Sequence, residues 1–350
     1  MIITDAIKKA VDRVDLAAEE AESVLEQIMT GLCTDAQIAS LLTALRMKGE
    51  TVAELTGFAR VMRRKAARVH PHTTVSAEIG DTEREALIDT CGTGGDVSGS
   101  FNVSTATAFV VAGAGVRVAK HGNRSVSSQC GSADVVEALG VRIELQPDTI
   151  GRCIDEVGIG FLHAPLLHDA MRYVALARKQ MGIRTIFNML GPLTNPAGAN
   201  IQVVGVYAAH LTDLLARVLG DLGSTRALVV HGSDGLDEIT ITAESWITEL
   251  RNGELSTYTV APEDFGLERA TLGEIQGGDV HQNSRIILEV LRGGRGPRRD
   301  IVLLNAAAAF VASERACDLT EGVAVAAQSI DSGRALKKLE QLIEFTNQPD

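Results

Sequence analysis

Aromatic side chains are scarce in this chain of 350 residues: Phe, Tyr and Trp make up 3 % of it, with a single tryptophan, Trp246. Because 45 % of the residues are hydrophobic, a core can still be buried, built mainly from aliphatic side chains. Positive charge is also in deficit. A net charge of −12 excludes the broad basic surface that nucleic acids or anionic membranes attract. The local run Arg60, Arg63, Arg64, Lys65 and Arg68 is the exception, and it reads as a solvated helix face. Cysteine is sparse and odd in number: Cys33, Cys91, Cys130, Cys153 and Cys317 include no Cys-x-x-Cys pair. That spacing argues against a structural zinc site and for a reducing compartment. No basic-then-apolar leader opens the chain, and the longest apolar run, near Ala306 to Ala312, is too short to cross a bilayer. The expectation is a soluble, cytoplasmic protein with no nucleic-acid or membrane partner. Two familiar phosphate motifs are missing as well. A dinucleotide fingerprint needs a third glycine where Val97 stands, and the Gly-Lys-Ser/Thr of a P-loop does not occur in the glycine-rich stretch.

What is present divides in two. Residues 1–70 read as helices only, with capping boxes at Thr34 to Gln37 and Thr51 to Glu54. Ile38, Leu41, Leu42 and Leu45 form an apolar stripe that Gly49 ends. After a linker from Pro71 to Asp81, short β-rich runs alternate with helical segments. Strands are expected at Ala86 to Thr90, Val116 to Ala119, Ile159 to Leu162, Ile201 to Tyr207 and Ala227 to His231. Such βα units give a central, largely parallel sheet, whose ligands sit beyond the carboxyl ends of the strands. The fold class expected is α/β, a small all-helical domain with a large α/β domain. Leu166 to Met181 reads as one helix, with His168, Met171, Ala175 and Arg178 on a shared face, His168 and Arg178 roughly 15 Å apart. A segment of about 166–190 is assigned back to the helical domain, leaving 71–165 and 191–350 for the α/β domain. In the tail, Val302 to Val311, Gly322 to Ser332 and Ala335 to Phe345 read as packing helices, with Asn305 hydrogen-bonded in the core.

The chemistry concentrates between Leu87 and Val141. Gly92-Thr-Gly-Gly-Asp96, Asn102-Val-Ser-Thr105, Lys120-His-Gly-Asn-Arg124, Ser127-Ser128 and Gly131-Ser-Ala-Asp134 supply glycines, hydroxyls and one lysine, with almost no bulk. A diphosphate needs many N–H donors at close range, and glycine lets backbone approach it without a Cβ in the way. Ser104 and Thr105 stand where a helix start would favour an anion. Further on, Asp237 and Glu238 follow a strand, and on a turn both can face one pocket. As hard oxygen donors they suit Mg²⁺, which keeps waters and shares its shell with substrate phosphates.

These motifs, followed by Gly182-Ile-Arg-Thr-Ile-Phe-Asn188 and Gly191-Pro-Leu-Thr-Asn-Pro196, resemble anthranilate phosphoribosyltransferase in order and spacing along the whole chain. The resemblance implies a fold like that of nucleoside phosphorylases and class III phosphoribosyltransferases. It implies transfer of phosphoribose from 5-phosphoribosyl 1-diphosphate to the amine of anthranilate in tryptophan synthesis, with Mg²⁺ as cofactor. Carried over by position, Gly92, Gly95, Asp96, Ser100, Asn102, Val103, Ser104, Thr105, Lys120, His121, Gly122, Asn123, Arg124, Ser127, Ser128 and Ser132 would bind the donor. Gly92, Asn123, Ala164, Pro165, His168 and Arg178 would bind anthranilate, His121 lining the same channel; Ser104, Asp237 and Glu238 would hold magnesium. A homodimer through the helical lobe is implied too. No general base is assigned, because an aromatic amine is already unprotonated at pH 7. Ser100 replaces the family's usual threonine and keeps its hydroxyl; Asp169 and Ala177 replace a common proline and valine near the acceptor residues. Two other readings stand beside this one. A pyrimidine nucleoside phosphorylase would share the fold, but Asp237-Glu238 and the Lys120 to Asn123 wording disfavour it. A non-catalytic nucleic-acid-binding paralogue is disfavoured by the acidic balance.

Overall fold

A computed structural model describes residues 1–71, 86–94, 99–125 and 130–348. Its first part is helical: α1 (Ile3–Val11), α2 (Ala18–Met29), α3 (Asp35–Lys48) and α4 (Val52–Lys65). Both expected capping boxes form. Thr34 Oγ1 accepts the Gln37 amide at 3.3 Å while Gln37 Oε1 accepts that of Thr34 at 2.9 Å, and Thr51 and Glu54 repeat the exchange at 3.3 and 2.9 Å. Glu54 goes beyond capping. It is fully buried, accepts the Leu16 amide at 3.0 Å and takes the Lys48 ammonium at 3.0 Å, tying the α1–α2 link to the α3–α4 turn. Most of the basic run is a salt-bridged outer face, with Arg60 and Arg64 on Glu22 at 3.3 and 2.8 Å. Arg63 departs from that expectation. Its guanidinium is drawn inward to donate to the carbonyls of Leu193 at 2.7 Å and Leu222 at 3.0 Å, joining the helical lobe to the larger one.

The larger lobe runs β1 (Leu87–Gly92), α5 (Val103–Gly113), β2 (Arg117–Gly122), α6 (Ser132–Ala138), α7 (Pro147–Arg152), β3 (Ile159–His163) and α8 (Ala164–Leu167). The chain then passes through α9 (Arg172–Met181) and α10 (Ile186–Leu190), which pack on the N-terminal helices, and the larger lobe resumes with β4 (Ile201–Gly205), α11 (His210–Asp221), β5 (Arg226–Gly232), β6 (Ser245–Arg251) and β7 (Glu254–Val260). Four helices close it: α12 (Val280–Leu291), α13 (Pro297–Ala312), α14 (Leu319–Asp331) and α15 (Arg334–Thr346). The strands form a seven-stranded sheet in the order β3-β2-β1-β4-β5-β6-β7. The five expected strands are there, and they pair in parallel. The antiparallel hairpin β6–β7 escapes the sequence reading because its strands are half exposed and polar. Its signal was the Asn252-Gly253 turn, where φ is +51° and +85°, the pairing that a two-residue hairpin turn needs.

One sheet face is covered by α5, α13, α14 and α15 around an aliphatic core that includes the alanine-rich stretch of α13. On the other face Val204, Val229 and Ala227 join a core with α11 and the N-terminal helices. The fold is thus a small helical N-terminal domain on a larger α/β domain. α9 packs on α2 and α3, and α10 on α4.

One expected element is corrected. Leu166 to Met181 is not one helix. α8 starts at the end of β3 with Pro165 in its first turn and stops at Leu167; His168 leaves helical geometry (φ −125°, ψ 55°), a 3-10 turn follows at Asp169–Met171, and α9 begins at Arg172. Asp169 pairs with Arg172 at the start of α9, and the Met171 amide donates to His168 O at 2.9 Å. His168 and Arg178 therefore do not share a helix face, and the 15 Å separation along a continuous helix does not apply.

Candidate active site

The chain runs outward from β1 through β2 to β3 on one side and from β4 to β5 on the other, so the strand order reverses between β1 and β4. A crevice opens at such a reversal, beyond the carboxyl ends of the strands. Gly92 and Gly205 are in register at that end. They are glycines because of what crosses above them. A Cβ on Gly92 would lie 2.4 Å from Asp237 Oδ2, and one on Gly205 only 1.5 Å from Asp237 O.

The turn after β5 sends Asp237 and Glu238 across this gap. Asp237 Oδ2 accepts the Gly94 amide at 2.9 Å, and Glu238 Oε1 accepts the Ser104 amide at 3.1 Å in the first turn of α5. Adjacent carboxylates thereby reach the glycine loop and the helix start, with the positive end of the α5 dipole favouring Glu238. Together with Ser104, the donor set is hard oxygen throughout. Two carboxylates and a hydroxyl fit Mg²⁺, which takes one or two carboxylates and fills the rest of its shell with water and phosphate oxygens.

Lys120, near the end of β2, is buried and donates to Thr90 O at 2.5 Å. Beside it lies Asp89, fully buried, whose oxygens accept the His121 amide at 3.1 Å and Asn195 Nδ2 at 2.9 Å. Burial raises the Asp89 pKa, while the charge of Lys120 and the Asn195 and His121 donors pull it back down. Asn195 also donates to Ala119 O at 2.8 Å, so the Gly191 to Pro196 loop is pinned to β1 and β2. Asn102 bridges Cys130 O at 3.2 Å and Asn283 Nδ2 at 3.0 Å, while the Val103 amide donates to Phe101 O at 2.7 Å. Ser100 forms an isolated bridge with Gln276. The Thr93 and Thr105 hydroxyls are buried with no partner among the described residues.

At the end of β2, a Cβ on Gly122 would lie 2.3 Å from Ser132 Oγ, so glycine admits the start of α6. The Asn123 amide donates to Ser132 Oγ at 3.2 Å, and Asn123 Oδ1 accepts the Arg124 amide at 2.8 Å. The Arg124 side chain is turned onto α6, held by Asp134 at 3.0 Å and Glu137 at 2.8 Å. Gly95, Asp96, Ser127 and Ser128 lie outside the described residues.

The other wall is imidazole. The rings of His121 and His168 are 5.2 Å apart, and His121 Nδ1 faces Gly191 O at 3.2 Å. Burial pushes His121 down to about 3 and His168 to about 4, so both are neutral at pH 7. Neither Nε2 has a partner among the described residues. Ala164 and Pro165 open α8 at the end of β3. Arg178 lies on α9 with its guanidinium 5.4 Å from the Phe187 ring, and among the described residues it makes no hydrogen bond to the loops of the sheet.

The structure thus gathers Gly92, Ser104, Asp237 and Glu238, sets Gly122 and Asn123 against Ser132, and turns His121 to His168. Sequence reasoning missed Asp89, Asn195, Gly205 and Asn283. A carboxylate inside an aliphatic strand could have flagged Asp89; for Gly205 no local signal existed, since its neighbour is Asp237.

Residues 84–336 match the Glycosyl transferase family, a/b domain, and residues 4–66 its helical bundle domain. The chain is 56 % identical over 341 residues to an anthranilate phosphoribosyltransferase of Symbiobacterium thermophilum, covering 97 % of each. It is 53 % identical over 350 residues to that of Geobacter sulfurreducens, covering 99 % of this chain and 100 % of the relative.

The chain belongs to the anthranilate phosphoribosyltransferase family.

The crystal structure of anthranilate phosphoribosyltransferase from Thermus thermophilus superposes with a TM-score of 0.90 at 42 % identity, covering 98 % of this chain and 100 % of that one. The Saccharomyces cerevisiae anthranilate phosphoribosyltransferase in complex with PRPP and Mg gives 0.86 at 28 % identity, covering 98 % and 97 %. Among the described residues no helix is long and apolar enough to cross a membrane.

Proposed function

We propose that this anthranilate phosphoribosyltransferase moves 5-phosphoribose from 5-phosphoribosyl 1-diphosphate to the amine of anthranilate, giving N-(5-phosphoribosyl)anthranilate and diphosphate on the way to tryptophan. The observation that carries the reading is the reach of Asp237 and Glu238 to Gly94 and Ser104 at the strand-order reversal. Hard anionic oxygens thereby stand at the glycine loop and at the start of α5, where a magnesium-bound diphosphate would lie.

In this reading the donor is bound by Gly92, Ser100, the Asn102 to Thr105 helix start, Lys120, His121, Gly122, Asn123, Arg124 and Ser132. The resemblance adds Gly95, Asp96, Ser127 and Ser128, which lie outside the described residues. Mg²⁺, held by Asp237, Glu238 and the Ser104 hydroxyl, would neutralise charge on the departing diphosphate. Lys120 and the fixed amides favour the same developing charge, and because they are set before reaction they need no reorganisation. Asp89 and Asn195 hold the Lys120 end of β2 in place. Anthranilate enters on the other side, between Asn123, Ala164, Pro165 and the His121–His168 pair, with Arg178 for its carboxylate, which a planar guanidinium matches with two parallel hydrogen bonds. The neutral imidazoles line that slot without repelling a cationic ribose. Each histidine has an Nε2 with no partner among the described residues, which could meet the acid or its amine.

The helical lobe takes in 1–70 and the returning segment 166–190, and the α/β lobe 71–165 and 191–350. α9 and its packing on α2 and α3 support that division. We assign the enzyme to the cytoplasm as a homodimer joined through the helical lobe. The test is loss of anthranilate fluorescence on mixing the purified chain with 5-phosphoribosyl 1-diphosphate and Mg²⁺. Phosphate-dependent release of thymine from thymidine without anthranilate turnover would overturn the assignment in favour of a nucleoside phosphorylase.

A further inference from the structure

Between the end of β5 at Gly232 and the start of β6 at Ser245, the chain that carries Asp237 and Glu238 has left the sheet. Ile239, the residue after Glu238, is fully buried there, and its peptide groups need partners that no strand supplies. One side chain supplies both. Asn305, in the middle of α13 and 1 % exposed, accepts the Ile239 amide on Oδ1 at 2.9 Å and donates Nδ2 to Ile239 O at 2.9 Å. The second Nδ2 hydrogen goes to Ile301 O at 2.8 Å, one turn back in the helix. An asparagine amide thus acts as a surrogate strand in an otherwise alanine-rich stretch.

The other flank of the pair is fixed too. Asp234 Oδ1 accepts the Leu236 amide at 3.2 Å, and its Oδ2 accepts the Thr240 hydroxyl at 2.7 Å and that of Thr242. The Gly232 amide donates to Leu236 O at 2.9 Å, and Thr240 N–H donates to Ser245 Oγ at 2.9 Å. Leu236, Ile239 and Thr240 are therefore anchored, and Asp237 and Glu238 are the two residues between the anchors.

We propose that Asn305 is a positioning residue: by gripping both peptide groups of Ile239 it sets where the Asp237 and Glu238 carboxylates stand over the crevice. This rests on the reading of those carboxylates as metal ligands. Asn305 touches no substrate and acts only through Ile239. Outer groups that orient ligands typically change metal affinity or activity by about 10–100-fold when lost.

The test compares Asn305→Leu, Asn305→Asp, the double variant Asp237→Asn with Glu238→Gln, and Thr248→Val. The last removes a buried hydroxyl that bonds Thr212 and Thr257 at 2.9 and 3.0 Å, a loss of similar kind with no contact to Ile239. Binding of Mn²⁺ in the presence of inorganic diphosphate is read by electron paramagnetic resonance, and hydrogen exchange is followed at residues 236–240. For Asn305→Leu we expect Mn²⁺ binding weakened about tenfold or more, accelerated exchange at Ile239, and a lower kcat with KM for anthranilate within about threefold. Asn305→Asp keeps the acceptor and should fall between it and the parent, which preserves the test if the leucine variant does not fold. Thr248→Val should lower Tm and leave Mn²⁺ binding alone. Parental Mn²⁺ binding in the folded Asn305 variants, with binding lost in the carboxylate double variant, would overturn the positioning role alone. Parental binding in the carboxylate double variant would overturn the ligand assignment and the positioning role together. Equal weakening by Thr248→Val would reduce Asn305 to a general stability contact and so refute the proposal.

Discussion

Gly205→Ala adds one methyl group to the enzyme and should nearly silence it. The added Cβ would stand 1.5 Å from Asp237 O and 2.5 Å from Asp237 C, where real Cβ contacts essentially never fall below 3.0 Å. A separation of about 1.5 Å more is needed, and one partner must move. β4 cannot: Gly205 is in parallel register with Gly92 on one side and Val230 on the other, and its carbonyl accepts the Thr93 amide at 2.9 Å. The shift falls on the turn carrying Asp237 and Glu238. A displacement of about 1 Å from productive geometry typically lowers a rate about 100-fold, or ~2.7 kcal/mol in the barrier. We therefore expect kcat to drop at least about 100-fold and the Mg²⁺ requirement to rise, with KM for anthranilate changed by less than about threefold. Overpacking should lower stability by about 1–3 kcal/mol, visible in Tm but too little to unfold a domain of this size. The assay is steady-state consumption of anthranilate across a magnesium titration, beside the control Gly273→Ala, where an added Cβ meets nothing within 4 Å. A folded Gly205→Ala enzyme with kcat within about threefold of the parent would refute the claim that this glycine sets the height of the carboxylate turn.

Further outcomes follow from the same site. Asp237→Ala with Glu238→Ala should lower kcat and blunt the response to added Mg²⁺; an unchanged magnesium titration would remove the ligand assignment. Arg178→Ala should raise KM for anthranilate by about 10–100-fold, the range for a charge-assisted pair of about 1.5–3 kcal/mol, with a smaller effect on the donor; a KM increase confined to 5-phosphoribosyl 1-diphosphate would contradict it. Acid stability should carry the mark of the buried histidines. His121 titrates near 3 when folded against 6.5 ordinarily, and His168 near 4, so below pH 6.5 the unfolded chain binds more protons. Their contribution is complete above pH 6.5 and is lost as pH falls towards 3 to 4, at up to ~1.4 kcal/mol per pH unit for each. His121→Asn should flatten the decline of Tm between pH 6.5 and 4, and an unchanged slope would show that this imidazole is not buried as described.

The helical lobe was legible because its signals are local. A threonine followed three residues on by glutamine or glutamate caps a helix wherever it occurs, and both boxes form as read. The parallel strands were legible for a related reason: each is buried on both faces and appears as a short aliphatic run between glycine-rich turns. β6 and β7 were not, since half-exposed strands with Thr, Ser and Glu look like loop until their partner is known. The break at His168 was missed because the spacing of His168, Met171, Ala175 and Arg178 fits one helix face, and only the placement of β3 and α9 decides that the chain must turn there. Arg63 looked like its solvated neighbours; nothing in a run of basic residues marks the one whose guanidinium meets two carbonyls of another lobe.

By itself the order of residues determined what kinds of groups are available: glycine loops with hydroxyls and one lysine among them, two adjacent carboxylates, histidines and an arginine. It also determined the capped N-terminal helices and the parallel strands, since capping and hydrophobic periodicity act over a few residues. The tertiary structure alone decided that Asp237 crosses Gly205 within atomic contact, that Asn305 serves Ile239 across 66 positions of chain, and that the glycine loop meets the carboxylate turn at the strand-order reversal. Those are contacts between segments far apart in the chain, fixed by how the sheet orders its strands and by what little room remains where they meet.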